Sequence, residues 1–463
     1  MSTTQAAPAR HRSWLRGTLE RAASRSPARL ALVVFALVIT VFVALLSLPA
    51  ATAGPQRASF ADALFTATSA VCVTGLVTVD TATYWSGFGH AVILLGIKVG
   101  GLGILTLASL LGLAVSRRLG LANRLIAASE TKALRLGEVG SLLRIVVVTS
   151  TAIEAVVAAV LFPRFLVEGE GPLRALWHAV FYAVSAFNNA GFVVHEGGLA
   201  RWGADPWITV PVAAAVFIGS LGFPVVLVLT QNRGWRWPSR WPLHTKLTLV
   251  ATTALLLISV VALVAFEWTN PRTLGAFPPA ERALVAVFHA VMPRSGGFNV
   301  VDVGQMHETS WLVQDLMMFI GGGSASTAGG IKVGTLAVLV LAVVAEARGD
   351  RDVEAFGRRV PAGTIRLSVS VLLAGLAMVG TSTLALLAIT GGRLDQVLFE
   401  VISAFATVGL STGITGDLGT PGTLLLVVLM FTGRLGPITL ASALALRARP
   451  RLYEFPQERP IIG

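Results

Sequence analysis

Four stretches of this sequence follow one pattern: ADALFTATSAVCVTGL (61–76), WHAVFYAVSAFNNAGF (177–192), ALVAVFHAVMPRSGGF (283–298) and DQVLFEVISAFATVGL (395–410). Each begins as a short apolar segment and closes on a Gly that is followed by Leu or Phe. The closing glycines are Gly75, Gly191, Gly297 and Gly409, which are 116, 106 and 112 residues apart. Repetition at a near-constant period predicts one structural unit built four times.

The four stretches also share residues at matching internal positions. A Phe stands ten residues before the closing Gly in three of them and nine before in the third; these are Phe65, Phe181, Phe399 and Phe288. A Ser-Ala pair recurs at a fixed offset in the first, second and fourth stretches but is missing from the third. These matches argue against chance recurrence in a chain with 47 glycines.

The composition is that of an integral membrane protein. The chain has 463 residues, of which 54% are hydrophobic and 13% charged, and its mean hydropathy is +0.75. Soluble domains carry about 25% charged residues, and about 20 apolar residues span a bilayer. Long apolar segments flank each short stretch. We expect first helices near 30–50, 145–166, 247–268 and 366–390, and second helices near 88–115, 207–230, 311–345 and 421–446.

The predicted fold is therefore all-α, with four pseudo-symmetric repeats around a central pore. Each repeat is a transmembrane helix, a re-entrant pore helix and a second transmembrane helix, which gives eight transmembrane and four pore helices. Basic residues cluster between the repeats, which by the positive-inside rule makes those segments and both termini cytoplasmic. The expected cytoplasmic segments are 1–29, 117–144, 231–246, 346–365 and 447–463. The expected repeats are 30–116, 145–230, 247–345 and 366–446.

Several function classes find no support. The single Cys72 excludes an intramolecular disulfide framework, and the histidines show no metal-binding motif. No nucleotide-binding or nucleophile motif is present, so we expect no enzymatic activity. The net charge of +12 is dispersed over short loops, which favours membrane topology over nucleic-acid binding.

The Gly-bearing loops suggest an ion pore. Irregular backbone at membrane depth is tolerated where it lines a water-filled path, and inward-facing carbonyls can replace the hydration shell of an ion. The predicted filter residues are Val73, Thr74, Gly75, Asn189, Ala190, Gly191, Ser295, Gly296, Gly297, Thr407, Val408 and Gly409. None is a carboxylate, which favours a backbone-coordinated monovalent cation. Asp80, Asp302 and Asp417 lie just outside, as mouth residues or ordinary loop acids.

The second helix of the third repeat contains MMFIGGGSASTAGGIK (317–332). Each Gly inside a helix costs about 1 kcal/mol relative to Ala, so this stretch predicts a break, with close helix packing as the alternative. Arg434 lies in an apolar run, and an Arg at membrane depth usually faces a cavity or a partner. We expect it to contact residues 320–330. Lys98, Lys332 and Glu154 also fall within membrane segments.

The sequence resembles the Trk/Ktr/HKT superfamily of potassium transporters, and most closely the membrane subunit of the Ktr type. SAVCVTGL (69–76), FNNAGF (187–192), GGFN (296–299) and ATVGLSTG (406–413) resemble its filters. IKVGGLGILT (97–106), LGFPVV (221–226), LHTKL (243–247), STAGGIK (326–332), DVEAFGRR (352–359) and FTGRLGPITL (431–440) resemble its other motifs.

The resemblance implies potassium uptake across the bacterial plasma membrane, with potassium bound at the filter carbonyls and no organic cofactor. It implies a gate formed by Gly321, Gly322, Gly323, Ser324, Ser326, Thr327, Gly329, Gly330, Lys332 and Arg434. It also implies a homodimer embedded in membrane lipid, on a separate cytoplasmic ring of nucleotide-binding regulatory subunits. Gly75, where sodium-selective relatives carry Ser, favours potassium. A sodium-permeable transporter of the same fold and a secondary active transporter remain the alternatives.

Overall fold

The structure, a computed structural model, describes residues 27–102, 139–231 and 241–436. The described residues leave out most of the expected cytoplasmic segments. These are most of the N-terminal segment 1–29, large parts of the loops 117–144 and 231–246, and the whole tail 447–463. The same holds for the ends of two expected second helices, 103–115 and 437–446.

The regular elements of the described residues are helices, apart from one two-stranded hairpin, β1 (Glu354–Ala355) and β2 (Arg358–Arg359). The first repeat contains α1 (Pro27–Leu46), α2 (Phe60–Cys72) and α3 (Gly87–Gly101). The second contains α4 (Val139–Val167), α5 (Pro172–Phe187), α6 (Pro206–Leu221) and α7 (Phe223–Gln231). The third contains α8 (Leu243–Glu267), α9 (Pro279–Val291), α10 (Glu308–Phe319) and α11 (Val333–Arg348). The fourth contains α12 (Ala362–Thr390), α13 (Leu394–Phe405) and α14 (Gly419–Leu435).

Two second helices differ from straight spans. The expected helix 207–230 breaks at Gly222, and its two parts are bent by 102°. Gly222 has φ +93°, and a Cβ there would lie 2.5 Å from the Ser324 carbonyl oxygen. The bend therefore accommodates residues 320–332, the irregular segment that separates α10 from α11. The glycine-rich sequence correctly predicts that second interruption but does not predict the first.

The outer helices have the properties of membrane spans. Among the described residues, three helical segments are long and apolar enough to cross a bilayer, Val146–Val167, Leu243–Glu267 and Ala362–Thr390, and the bent pair α6–α7 makes a fourth. These helices expose large apolar side chains on their outer surfaces, including Val156, Leu257, Val261, Leu373 and Leu384. An apolar surface of this kind is suited to lipid.

The four short helices α2, α5, α9 and α13, here called the pore helices, form the centre of the core. The repeated phenylalanines Phe65, Phe181, Phe288 and Phe399 are all fully buried. The second helix of each repeat packs against the pore helix of the next: α3 on α5, α6 on α9, α10 on α13 and α14 on α2. This order closes on itself, so the four repeats form a ring.

Candidate functional site

Each pore helix is followed by three of the predicted filter residues, here called a filter loop, and the chain turns away from each pore helix in nearly the same way. In three repeats the middle filter residue donates its amide hydrogen to the carbonyl five residues earlier: Thr74 to Ser69, Ala190 to Ser185 and Val408 to Ser403, at 2.8–2.9 Å. In the third repeat Gly296 donates instead to Met292, four residues earlier, at 2.8 Å. The turn is one residue shorter there, which explains why Phe288 stands nine rather than ten residues before its Gly.

The filter backbone is left-handed at the same two places in every repeat. The first residues, Val73, Asn189, Ser295 and Thr407, have φ between +50° and +73°. The third residues, Gly75, Gly191, Gly297 and Gly409, have φ between +68° and +95°. Side-chain-bearing residues seldom adopt this conformation. Its fourfold recurrence shows that the sequence repeat is also a repeat of backbone geometry.

The recurrent Ser has a structural reason. Ser69 Oγ accepts the Gly75 amide at 3.0 Å, and Ser403 Oγ accepts the Gly409 amide at 3.1 Å. In the second repeat Ser185 Oγ donates to the Phe192 carbonyl at 3.0 Å. These bonds satisfy buried backbone groups that no regular structure pairs. The third repeat has a valine, Val291, six residues before its Gly and lacks this support.

The four filter loops meet one another in chain order. A Cβ built on each glycine would press on the carbonyl oxygen of the middle residue in the next loop: Gly75 on Ala190, Gly191 on Gly296, Gly297 on Val408 and Gly409 on Thr74. All these contacts would be at or inside about van der Waals distance, with Gly191 the loosest at 3.1 Å. The predicted filter residues of all four repeats are thus brought together in one closed ring.

A side-chain bond ties two of the loops directly. Ser295 Oγ donates to the Thr407 carbonyl at 2.5 Å, across the contact between the third and fourth loops. Gly296 is confined for a different reason, since a Cβ there would lie 2.7 Å from Val216 Cγ1 and 2.8 Å from Met292 Sδ. The unusual third filter is therefore tightly packed and linked to its neighbour.

A cavity of about 290 Å³ opens beside the ring on its outer side. It is lined by residues that follow three of the four filters, among them Leu76, Asn299 and Ser411. Asp302 is the one acid in its lining. Asp80 instead caps the helical turn Thr81–Tyr84 through the Thr83 amide, so the cavity gains its negative charge from Asp302.

Residues 320–332, here called the inner loop, lie against both the bent second helix and the ring. The Gly323 amide donates to the Ser220 carbonyl at 2.7 Å, and Thr327 Oγ1 donates to the Gly219 carbonyl at 3.0 Å. A Cβ on Gly329 would collide with Thr407 Oγ1, and one on Gly330 would lie 3.1 Å from Ala406 Cβ. The inner loop therefore contacts the base of the fourth filter without intervening space.

Arg434 reaches the inner loop, as the sequence predicts. Its Nη1 donates to the Thr327 carbonyl, and its Nη2 donates to the Gly100 carbonyl at 2.7 Å. Lys332 Nζ donates to the Ala328 carbonyl at 2.5 Å, within the loop itself. Two cationic side chains thus hold backbone carbonyls of the loop, and Arg434 also links it to α3.

The residue after each repeated Phe was not singled out from the sequence. In the fourth repeat it is Glu400, which accepts hydrogen bonds from Ser411, Thr412 and Thr415 at 2.6–2.9 Å. In the third it is His289, whose Nε2 accepts the Val300 and Val301 amides at 3.2 Å each. These buried groups fix the chain that leaves the filter. Their shared position, directly after the repeated Phe, was the sequence signal that could have identified them.

A second feature absent from the sequence interpretation is an ion pair. Lys98 Nζ lies 2.5 Å from Glu154 Oε2, and Asn188 Nδ2 donates to Glu154 Oε1 at 2.8 Å. The pair joins α3 to α4, and Asn188 directly precedes the second filter. The partners are 56 residues apart, so no local spacing could reveal them.

The chain is similar to known transport proteins in sequence. The sequence profile of the TrkH family, described as "Cation transport protein", matches residues 31–449. Ktr system potassium uptake protein B of Bacillus subtilis (strain 168) is 36% identical over 420 residues, 91% of this chain and 93% of that protein. Potassium/sodium uptake protein NtpJ of Enterococcus hirae is 33% identical over 453 residues, 95% of this chain and 97% of that protein.

Among solved structures, the potassium transporter TrkH from Vibrio parahaemolyticus is similar with a TM-score of 0.70 at 18% sequence identity. The match covers 89% of this chain and 84% of that chain. At this level of identity the similarity concerns the fold alone, and it confirms the predicted all-α architecture.

Proposed function

Since this chain belongs to the TrkH family of cation transport proteins, we propose that it takes up potassium ions through the ring of four filter loops. The observation that carries the proposal is the closed order in which each glycine faces a carbonyl of the next loop. The ring brings the Thr74, Ala190, Gly296 and Val408 carbonyls together. Such carbonyls replace the water around a potassium ion, which is the transported substrate.

The charge around the ring favours a cation. The C-termini of the four pore helices precede the filters, and a helix C-terminus carries a partial negative charge. No filter residue is charged, so coordination rests on backbone oxygens rather than on carboxylates. Potassium then enters passively, driven by the membrane potential at about 2.3 kcal/mol per charge for each 100 mV.

The inner loop is proposed as the gate. It contacts the base of the fourth filter at Ala406 and Thr407, and it is held by Arg434 and Lys332. The gating residues proposed are Gly321, Gly322, Gly323, Ser324, Ser326, Thr327, Gly329, Gly330, Lys332 and Arg434. Because Arg434 adds a positive charge below a cation filter, it also adds an electrostatic barrier while the loop is in place.

Regulation is assigned to a separate protein. The relative from Bacillus subtilis is named as part of a Ktr system, and we propose a comparable assembly here: a homodimer in the bacterial plasma membrane on a cytoplasmic ring of nucleotide-binding regulatory subunits. The basic segments of the sequence support a cytoplasmic position for both termini in this proposal. The hairpin β1–β2, with exposed Arg358 and Arg359, is a candidate docking element on that side.

Growth of a potassium-uptake-deficient bacterium at low potassium tests the proposal. The wild-type chain, expressed with a regulatory ring subunit, is expected to restore growth and rubidium uptake. Gly75→Ser is expected to lower potassium uptake and raise sodium uptake. Failure of the wild type to restore growth, while it is present in the membrane, would exclude potassium uptake.

A sodium-permeable transporter is the second candidate, and the name of the relative from Enterococcus hirae, a potassium/sodium uptake protein, is the observation that favours it. Competition separates the two. If sodium in tenfold excess abolishes rubidium uptake by the wild type, the filter does not prefer potassium; undiminished uptake supports potassium.

A further inference from the structure

Three metal-ligating side chains converge on the outer side of the second repeat, apart from the filter and the inner loop. Glu170 lies in the linker between α4 and the pore helix α5, and His178 lies in the second turn of that pore helix. His195 follows the filter residue Gly191 by four positions. One ligand atom from each residue lies within 4.8 Å of the other two. The proposed conduction path makes no use of this cluster.

The three groups are aimed at one another. Glu170 Oε2 lies 2.8 Å from His178 Nδ1, and Glu170 Oε1 lies 2.7 Å from His195 Nε2. The side chains are 12%, 7% and 8% exposed for Glu170, His178 and His195. The carboxylate thus stands between two buried imidazoles, each presenting a ring nitrogen to it.

Neighbouring side chains hold His195 in this orientation. The Tyr182 hydroxyl lies 2.9 Å from His195 Nδ1, which leaves Nε2 to face the carboxylate. The Trp202 ring packs edge-on against the same imidazole at 4.8 Å, and Phe165 lies 5.6 Å from it. An outer partner on the second ring nitrogen is the usual support for a histidine that ligates a metal, because it fixes the tautomer and the ring.

We propose that Glu170, His178 and His195 bind one divalent transition-metal ion of the Zn²⁺ class, with water in the fourth position. Two imidazoles and one carboxylate are a common zinc donor set when one position stays open. Calcium and magnesium prefer oxygen ligands, so a site with two nitrogens selects against them. The ion replaces the protons that the imidazoles otherwise share with the carboxylate.

Metal binding would connect three separate parts of the second repeat. The ligands come from the linker, the pore helix and the segment that leaves the filter. The Ser185 bond to Phe192 already joins the last two at 3.0 Å. A bound ion adds a stronger link at the outer end and restrains the second filter loop. The site itself does not depend on which ion the filter conducts.

Equilibrium binding to the purified full-length chain tests the site, with any affinity tag removed. Zn²⁺ is titrated against a chromophoric chelator, and Co²⁺ is titrated by its visible absorption. The wild type is expected to bind one equivalent of either ion. Loss of an outer-shell partner costs about tenfold to a hundredfold in metal affinity, and this is the loss expected for Tyr182→Phe. Loss of a ligand is expected to cost more than about a hundredfold; the ligand variants are Glu170→Gln, His178→Gln and His195→Gln.

The matched control is His307→Gln, because His307 is an exposed histidine outside the cluster; it is expected to bind like the wild type. Absence of saturable binding by the wild type overturns the proposal, as does binding of Zn²⁺ by His195→Gln with the wild-type affinity. If a cluster variant does not fold, X-ray absorption of the Zn²⁺-loaded wild type decides, and a ligand shell without two imidazoles overturns the site. None of these measurements involves transport, so a negative result leaves the potassium proposal intact.

Discussion

At the scale of single residues, two independent constraints act on each closing glycine. The backbone there is left-handed, which a Cβ makes unfavourable, and the space a Cβ would take is occupied by a carbonyl of the next repeat. The first constraint is common in turns. The second is specific to the ring, because it exists only when all four loops are in place.

Gly75→Ala separates these two constraints when it is compared with Gly169→Ala. The two glycines have nearly the same φ, +92° and +91°, but a Cβ on Gly169 meets nothing within 4 Å, whereas one on Gly75 presses on the Ala190 carbonyl. Strain of about 1–3 kcal/mol at the filter is expected to lower rubidium uptake on the order of tenfold to a hundredfold.

Gly169→Ala is expected to keep wild-type uptake in the same proteoliposome assay. Equal loss in both variants would mean that the left-handed backbone alone matters, and that the contact between the loops does not. Wild-type rubidium uptake in both variants would show that the first loop does not contribute to the conducting ring.

At the scale of elements, polar groups buried between helices link the helices that surround the ring. The Lys98–Glu154 pair joins α3 to α4 and reaches the second filter through Asn188. Removing one partner of such a pair leaves an uncompensated charge, whereas replacing both by apolar residues is often tolerated.

Glu154→Gln is therefore expected to destabilise the protein by about 3 kcal/mol, the low end of the range for a buried pair, because Lys98 is 26% exposed. The double change Lys98→Met with Glu154→Leu is expected to restore most of that loss. Thermal unfolding in detergent measures both. A double variant that is as unstable as the sum of its single variants would show that the two side chains do not interact.

The inner loop is the other element with a testable role. Arg434→Gln removes two charged hydrogen bonds, to Thr327 and to Gly100, each worth about 1.5–3 kcal/mol. If these bonds favour the closed loop, rubidium efflux from loaded proteoliposomes is expected to rise at least about tenfold. Deleting the centre of the loop is expected to raise it further.

Arg393→Gln is the matched control, since Arg393 is an exposed arginine paired with Glu308 and Asp395 on the outer side. It is expected to leave efflux unchanged. Wild-type efflux in Arg434→Gln would assign the arginine a packing role and remove it from the gate.

At the scale of the whole molecule, much of the ring followed from the sequence because the unit is repeated. The aligned Phe and Gly positions predicted the four short helices and the residues that meet in the ring, and the dense glycines predicted the break before Val333. The bend at Gly222 was not predicted, although Gly222 and Pro224 are a local signal for a helix break. The contact with Ser324 that the bend accommodates is distant in sequence. Clusters such as Glu170, His178 and His195 depend on tertiary contact and left no motif. The order of the repeats around the axis likewise exists only in the folded chain.

The four filter loops are proposed to share one ion on a common axis, and anomalous diffraction from crystals grown in a rubidium salt would locate that ion. We expect an anomalous peak on that axis, at coordinating distance from all four of the Thr74, Ala190, Gly296 and Val408 carbonyl oxygens. A map with no peak inside the ring, or with rubidium bound to one loop alone, would contradict it.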